Sequence, residues 1–175
     1  MGVISAAVGG LGRLLMVPAG IALILMMLHV NADVVGRLLL NHPIPVTIEV
    51  VSYYYMVAVI FLPLAAVERA DHHIAVDLLS QHFRGALRRW TLALAALASM
   101  AYFAVLAWRS GLVAVEKLRI GEYEMGAVAL PTWPSRLLVP IGTAAIAAVL
   151  LVKAIELLRG REPAKPLPVV EEIPA

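Results

Sequence analysis

The stretch from Val50 to Val67 constrains the fold most, because it contains no charged residue and is long enough to cross a lipid bilayer as one helix. The hydrocarbon core of a bilayer is about 30 Å thick and takes roughly 17–25 helical residues. At Glu68 the character of the chain changes, and charged residues and histidines follow together. From residue 74 to 84 apolar residues recur at helical spacing opposite a polar face, which predicts a short amphipathic helix in the membrane interface.

Three further apolar runs predict three further membrane crossings. Trp90 and Trp108 bracket one of them at a helical separation of roughly 27 Å, which matches the aromatic belts of the two membrane interfaces. Of the 175 residues, 62% are apolar and only 15% are charged, a composition typical of an integral membrane protein. The predicted fold is therefore all-α, with a four-helix transmembrane domain at residues 1–159 and the interfacial helix between helices two and three. The spans are placed at about 14–32, 48–67, 90–108 and 136–157.

Prolines and charges suggest where these helices end. The motif His42-Pro43-Ile44-Pro45 cannot continue a helix, because proline lacks an amide donor and restricts the residue before it. We expect a loop or a frayed helix end from Asp33 to Pro45, a kink at Pro63, and a charged loop at Glu116–Glu124. Residues 160–175 hold four prolines and no helical pattern, so they are predicted to form a disordered tail.

The distribution of basic residues predicts the orientation. With the N-terminus inside, the cytoplasmic segments hold nine basic residues and the outer segments five. Both termini are therefore predicted to be cytoplasmic. The rival interpretation of the first run, a cleaved signal peptide, is disfavoured because the run is long and no A-x-A cleavage site follows it. The inner set is Arg13, Arg69, Arg84, Arg88, Arg89, Lys153, Arg159, Arg161 and Lys165, and the outer set is Arg37, Arg109, Lys117, Arg119 and Arg136.

The sequence offers little that could perform chemistry. It has no cysteine, which excludes disulfides and thiolate metal sites. His29 is the only ionisable group well inside a crossing, and no second histidine lies within a span to share a haem with it. One polar cluster resembles a metal site, but its spacing favours a solvated turn over converging ligands. We predict no enzyme activity, no catalytic, cofactor-binding or metal-binding residues, and no nucleic-acid partner. The cluster is Asp71, His72, His73, Asp77 and His82.

The spans are also almost free of the polar groups that a carrier needs near the membrane midplane. A helper subunit that packs against a larger membrane protein therefore fits better than a complete transporter. Small-residue faces that permit close helix contact are formed by Ala95 and Ser99 in the third span, and by Gly142, Ala144, Ala145 and Ala148 in the fourth.

Two blocks of residues carry a resemblance to a known family. The first includes Arg37, Glu49 at the start of helix two, then Glu68-Arg69 and His73-Ile74-Ala75-Val76-Asp77-Leu78-Leu79. The second is Leu130-Pro131-Thr132-Trp133-Pro134 followed by Val139-Pro140-Ile141-Gly142. In this order they resemble the small membrane subunit of TRAP (tripartite ATP-independent periplasmic) transporters, the DctQ-like family, over most of the chain from Arg37 to Gly142.

The resemblance implies a function by association. Such transporters are secondary carriers in the bacterial inner membrane, driven by a sodium gradient or by protons, that receive an organic acid from a periplasmic binding protein. The large membrane subunit holds the substrate and ion sites, so coupling is expected there and no cofactor is expected in this chain. The implied partners are the large subunit, the binding protein and the lipid bilayer, and the implied role is that of a fixed brace.

The resemblance also nominates residues for the partner interface or for structural roles. Arg37 and Glu49 are candidates for orienting the chain against a partner, while Arg69, His73 and Asp77 are candidates for anchoring the turn into the interfacial helix. For each, a solvated helix end is the alternative. The second block adds Pro131, Trp133, Pro140 and Gly142.

Two other classes of function remain open at this stage. One is a small self-assembling multidrug-type exporter, for which Glu49 is the nearest candidate carboxylate. The other is a haem-bearing membrane electron-transfer subunit.

Overall fold

The computed structural model describes residues 2–69, 86–125 and 128–160, and these residues are almost entirely helical. Four helices have the length and apolar composition to cross a membrane, which confirms the predicted four-helix fold. The predicted interfacial helix at 74–84 and the predicted tail beyond Gly160 lie outside the described residues. The elements are α1 (Gly2–Leu39), α2 (Thr47–Val50), a π-helical turn (Val51–Tyr55), α3 (Met56–Phe61), α4 (Leu64–Arg69), α5 (Ala86–Ile120), β1 (Tyr123–Met125), β2 (Ala129–Pro131), α6 (Trp133–Arg136) and α7 (Leu138–Leu158).

Two helices are much longer than a bilayer requires. With 38 residues α1 is roughly 57 Å long, and with 35 residues α5 is roughly 52 Å long, against a hydrocarbon core of about 30 Å. The position of the membrane along each helix stays a prediction. The expected loop at Glu116–Glu124 is wrong in its first half, because α5 continues as helix to Ile120.

The end of α5 is set by a glycine. Gly121 has φ +61°, a left-handed conformation that glycine adopts without steric cost. The Gly121 amide donates to the Leu118 carbonyl at 3.3 Å, and the Glu122 amide donates to the Lys117 carbonyl at 3.1 Å. This pair of hydrogen bonds is the Schellman pattern that closes a helix C-terminus. At the same end of the molecule, Asn41 (φ +50°) follows α1 and stands before the Pro43 and Pro45 break.

The second crossing, Thr47–Arg69, is a segmented helix made of α2, the π-helical turn, α3 and α4. It breaks between Phe61 and Leu64 because Pro63 has no amide hydrogen to continue the helical ladder. The ladder restarts when the Ala66 and Val67 amides both donate to the Pro63 carbonyl at 2.9 Å.

Helix α7 occupies the centre of the bundle. Helix α5 packs along one side of it, and α1, α3 and α4 pack against the other side. The buried positions are largely small, which lets the helices approach closely. Large apolar side chains of α1 and α5 point outward, as expected of a protein surrounded by lipid. The buried alanines are Ala19, Ala22, Ala58, Ala65, Ala93, Ala96, Ala114, Ala145 and Ala154.

A small hairpin, which the sequence did not predict, joins α5 to α6. Strands β1 and β2 are antiparallel, with Tyr123 opposite Pro131 and Met125 opposite Ala129. The hairpin lies at the loop end of the bundle, which we define as residues 33–47 and 117–136. The opposite end, defined as residues 8–13, 64–69, 87–93 and 153–160, is the terminal end.

Candidate functional site

The largest polar cluster of the loop end is centred on Glu122. Lys117 Nζ lies 2.8 Å from Glu122 Oε1, and Arg136 Nε donates to Glu122 Oε2 at 2.9 Å. The Thr132 amide donates to the Glu122 carbonyl at 3.0 Å, and the Thr132 hydroxyl lies 3.4 Å from Oε2. One carboxylate thus joins the end of α5 to the start of α6.

The ion pairs change the acidity of this carboxyl group. The hydrogen bond from Lys117 lowers the pKa of Glu122 below its usual range; partial burial opposes this shift, and the hydrogen bond and charge of Arg136 reinforce it. Because the charged form is favoured in the folded chain, Glu122 stays ionised and holds both cations throughout the neutral range.

The π-helical turn ties the segmented helix to the hairpin. The Tyr54 hydroxyl donates a short hydrogen bond to the Pro131 carbonyl in β2. Next to it, the hydroxyl of Tyr55 lies 3.5 Å from His29 Nδ1 of α1, and the two rings meet edge to face at 5.9 Å. Successive residues of a helix point in directions about 100° apart, so Tyr54 and Tyr55 reach two different neighbours.

Asp33 organises the connection between α1 and the segmented helix. Its Oδ2 accepts from Arg37 Nη2 at 3.0 Å, and its Oδ1 accepts from the Ile44 amide at 2.7 Å. The Asp33 side chain is buried while Arg37 is mostly exposed. The carboxylate therefore satisfies an amide in the proline-containing connection, and the Thr47 hydroxyl adds a bond to the Ile44 carbonyl at 3.0 Å.

A buried ion pair connects the helices at the terminal end. Lys153 Nζ of α7 lies 3.0 Å from Glu68 Oε1 of α4, and the Glu68 side chain is only 5% exposed. Arg69 follows Glu68, and its guanidinium lies so close to Gly9 of α1 that a Cβ at Gly9 would overlap it. These contacts hold three helices together where the predicted cytoplasmic surface begins.

Gly142 marks the closest approach of two helix backbones. A Cβ at this position would overlap the Phe61 carbonyl oxygen and lie 2.6 Å from its carbonyl carbon. The break before Pro63 therefore packs directly on α7. In the first turns of the same helix, Pro140 Cβ lies 3.8 Å from the position of a Cβ on Gly111 of α5.

The other nominated residues are scattered. Glu49 is half-buried in α2 and makes no ion pair with another described residue. Trp133 is half-buried at the first position of α6, before Pro134, which is tolerated in a first helical turn. His73 and Asp77 lie outside the described residues. No interface role is tested for any of the nominated residues, so these roles stay predictions.

Sequence reasoning missed the three carboxylates on which the polar contacts converge. The sequence predicts no contact for any of them: Asp33 and Glu122 fall in predicted loops, and Glu68 marks the charge boundary and belongs to the first block of the family resemblance. A signal was present for two of them, because Arg37 follows Asp33 at helical spacing, and Glu68 and Lys153 lie near the ends of two predicted spans. The spacing around Glu122 gave no such signal.

This arrangement suits mechanical connection better than ligand capture. None of the four apolar stretches 14–32, 50–67, 90–108 and 137–152 contains an aspartate, glutamate, lysine or arginine. Within the part of the chain that the structure describes, no group of three or more metal-binding side chains comes together. The hydrogen bonds and ion pairs between helices concentrate at the two ends, and the middle is packed by alanine, glycine and aliphatic side chains.

Comparison with known proteins adds a family. A family model described as the DctQ component of tripartite ATP-independent periplasmic transporters matches residues 26–160, well over half of the chain. No curated protein matches, and no solved structure matches. The matched range begins in α1 and ends just after α7, and it contains all three buried or partly buried carboxylate clusters. The chain therefore belongs to the DctQ family, the small component of TRAP transporters.

Proposed function

We propose that this chain is the static membrane brace of a TRAP transporter. It packs against the large membrane subunit, which moves an organic acid from a periplasmic binding protein into the cell and couples that movement to a cation gradient. The observation that carries this proposal is the absence of charged side chains from the four apolar stretches, in a chain whose family is that of the small transporter component.

Fastening at both ends supports a role that requires rigidity. The Glu122 and Asp33 clusters connect helices at the loop end, and the Glu68–Lys153 pair connects them at the terminal end. Between these ends, Gly142 brings α7 onto the segmented helix without space for a methyl group. Sliding of α4 along α7 would break the buried Glu68–Lys153 pair, and displacement of α5 from α6 would break the contacts of Glu122, so the bundle resists the motions that a carrier domain needs.

The outer surface supports a partner in addition to lipid. Helix α5 packs mainly on α6 and α7, which leaves Leu94, Tyr102 and Trp108 more than half exposed along its length. In a bilayer such a face contacts acyl chains or another transmembrane protein. We assign part of the exposed surface of α1 and α5 to the large subunit, and the remainder to lipid.

The proposed orientation places the terminal end in the cytoplasm of a bacterial cell and the loop end in the periplasm. The excess of basic residues near the terminal end supports it. The hairpin and the Asp33 connection would then face the periplasm, where the binding protein delivers its solute.

Co-purification tests this function. The chain carries an affinity tag and is co-expressed with the large subunit encoded beside it. We expect the two to elute as one particle at a fixed ratio in neutral detergent. As a matched control, a single-span membrane protein carrying the same tag should not retain the large subunit. Elution of the chain free of the large subunit, in detergents that keep the latter folded, would contradict the proposal.

No observation favours the two other classes. Glu49 lies in the first turn of α2 rather than at mid-depth, which does not suit an exporter. His29 contacts Tyr55, and the one other histidine among the described residues, His42, lies in the connection after α1 and not in a span, which does not suit a haem site.

A further inference from the structure

The terminal end carries a groove between α5 and α7 that the proposed function does not use. The groove is shallow and open to its surroundings, with an enclosed volume of only about 10 Å³, and it is lined by Arg89, Trp90, Ala93, Leu157 and Leu158. Its floor is apolar and well packed, because Ala93 is 1% exposed and Leu157 is 2% exposed. Its rim is open, because Trp90 is 55% exposed and Leu158 is 47% exposed.

Arg89 lines the groove and Arg88 precedes it in the first turn of α5, and neither arginine has an acidic partner among the described residues. Arg88 and Arg89 are both exposed in the first turn of α5, and none of the ion pairs among the described residues includes either of them. The first turn of α5 has no acidic residue. Glu156, the nearest acid along the end of α7, makes no ion pair with either arginine. By contrast, Lys117, Arg136 and Lys153 all lie within 3.0 Å of a carboxylate oxygen.

The backbone keeps one of these cations beside the groove. Gly160 has φ +79° and follows the last turn of α7, and a Cβ on it would lie 3.2 Å from Arg89 Nη1. The Arg89 guanidinium thus lies against the main chain at Gly160, where no side chain occupies the space. This position is next to the C-terminus of α7, where a helix favours a positive charge.

The combination matches the two parts of an anionic phospholipid. Arginine presents a planar set of donors that can bind two phosphate oxygens at once, and a tryptophan side chain favours the membrane interface. Beside them, the exposed side chains of Trp90 and Leu158 provide an apolar surface for an acyl chain. We propose that the groove between α5 and α7 binds one anionic phospholipid, with the phosphate at Arg88 and Arg89 and an acyl chain along Trp90 and Leu158.

This inference does not depend on the proposed function. The site is built from side chains of this chain alone, so lipid binding is measurable in the absence of a transporter partner. Charge decides the class of lipid, because a zwitterionic headgroup would bring its own cation next to two arginines. Each cation beside an anionic headgroup strengthens binding by about fivefold, so two arginines give a preference of about thirtyfold for an anionic lipid over a zwitterionic one.

Tryptophan quenching by brominated lipids tests the site directly. The full chain carries Trp108→Phe and Trp133→Phe, which leaves Trp90 as the sole tryptophan. In mixed micelles, brominated phosphatidylglycerol should quench Trp90 at a mole fraction about thirtyfold lower than brominated phosphatidylcholine does. The variant Arg88→Gln with Arg89→Gln should lose this preference, while Arg88→Lys with Arg89→Lys should keep most of it because the charge is retained.

The chain offers a matched control at the far end of the predicted third span, within α5. Arg109 follows Trp108 and is exposed, so Arg109→Gln removes one charge beside an interfacial tryptophan without touching the groove. The Arg109→Gln variant should quench as the parent does. The thermal unfolding midpoint of every variant shows whether it is folded. A variant that does not fold is replaced by the triple variant Arg88→Lys, Arg89→Lys and Leu158→Ala.

Four results would overturn the proposal. The first is equal quenching by the two lipids in the parent, and the second is an equal effect of Arg109→Gln and of the Arg88 and Arg89 pair. The third is displacement of phosphatidylglycerol by inorganic phosphate at constant ionic strength, which would indicate a site for a soluble anion in place of a lipid. An unchanged preference in the glutamine pair would likewise show that another surface carries the binding.

Discussion

Replacing Gly142 by alanine should destabilise the bundle although alanine is the better helix former. The added Cβ would lie 2.6 Å from the Phe61 carbonyl carbon, whereas carbon atoms in contact prefer a separation of about 3.5–4.0 Å. Helix α7 and the segmented helix must therefore separate by about 1 Å. Both groups are main chain, so no side-chain rotation relieves the overlap. Overpacking of this kind costs about 1–3 kcal/mol, and the upper end applies here.

The magnitude follows from two opposing effects. Alanine gains about 1 kcal/mol of helix propensity over glycine, so we expect a net loss near 2 kcal/mol for Gly142→Ala. The matched control is Gly20→Ala in α1, because no atom lies within 4 Å of a Cβ built there. That variant should be neutral or more stable by up to about 1 kcal/mol.

Reversible unfolding in mixed micelles, with increasing sodium dodecyl sulfate and far-ultraviolet circular dichroism as the signal, gives both values. The two variants should differ by about 3 kcal/mol, with Gly20→Ala the more stable. If Gly142→Ala is as stable as Gly20→Ala, the close packing of α7 on the Pro63 break is wrong.

Three further predictions concern the carboxylates. Glu68→Gln and Lys153→Gln should each destabilise the bundle, and the double variant should recover part of the loss. The coupling energy in the same unfolding assay should be about 0.5–3 kcal/mol, and additive losses would exclude a direct pair. Asp33→Ala leaves the Ile44 amide without its acceptor and should cost about 1–3 kcal/mol, with Asp33→Asn less harmful; equal losses would contradict this contact. Contacts in the fold lower the pKa of Glu122, so they stabilise the loop end at pH values above the usual glutamate pKa. This stabilisation is lost as the pH falls through the lowered pKa. The protection factors of residues 121–125 and 128–132 against hydrogen exchange, which correct for the slower intrinsic exchange at low pH, should fall on such acidification in the parent but not in Glu122→Gln, and an identical pH response would refute the role of this carboxylate.

The number of helices could be predicted from the sequence because it depends on simple quantities. An apolar run of sufficient length without charges has few alternatives to a membrane crossing, and four such runs give four helices. The start of the segmented helix at Thr47 could be predicted for a similar reason, since Pro43 and Pro45 interrupt the chain just before it.

Helix ends beyond the membrane were harder to predict. Residues Glu116–Ile120 are charged and look like a loop, yet they continue α5 because nothing in them breaks a helix before Gly121. The glycine itself was the usable signal. The π-helical turn at Val51–Tyr55 has no signal of this kind, because it depends on the neighbours that Tyr54 and Tyr55 reach.

The site was predicted less well than the fold because the nominated residues came from motifs and the contacts come from geometry. Pro131 and Gly142 act through their backbones, as an acceptor for Tyr54 and as space for the Phe61 carbonyl. Hydropathy carries no information about such contacts. Glu122 joins residues on both sides of the hairpin, so its role appears only once β1 and β2 are placed.

Solute uptake into proteoliposomes tests whether this chain braces a partner or moves solute itself. Vesicles contain the chain alone, the large subunit alone, or both. The binding protein, loaded with an organic acid, is added outside, and a cation gradient is imposed across the vesicle membrane. We expect uptake with both subunits and none with this chain alone, because the apolar stretches of this chain hold no charged group for a solute or ion. Gradient-driven uptake by vesicles that contain this chain without the large subunit would contradict it.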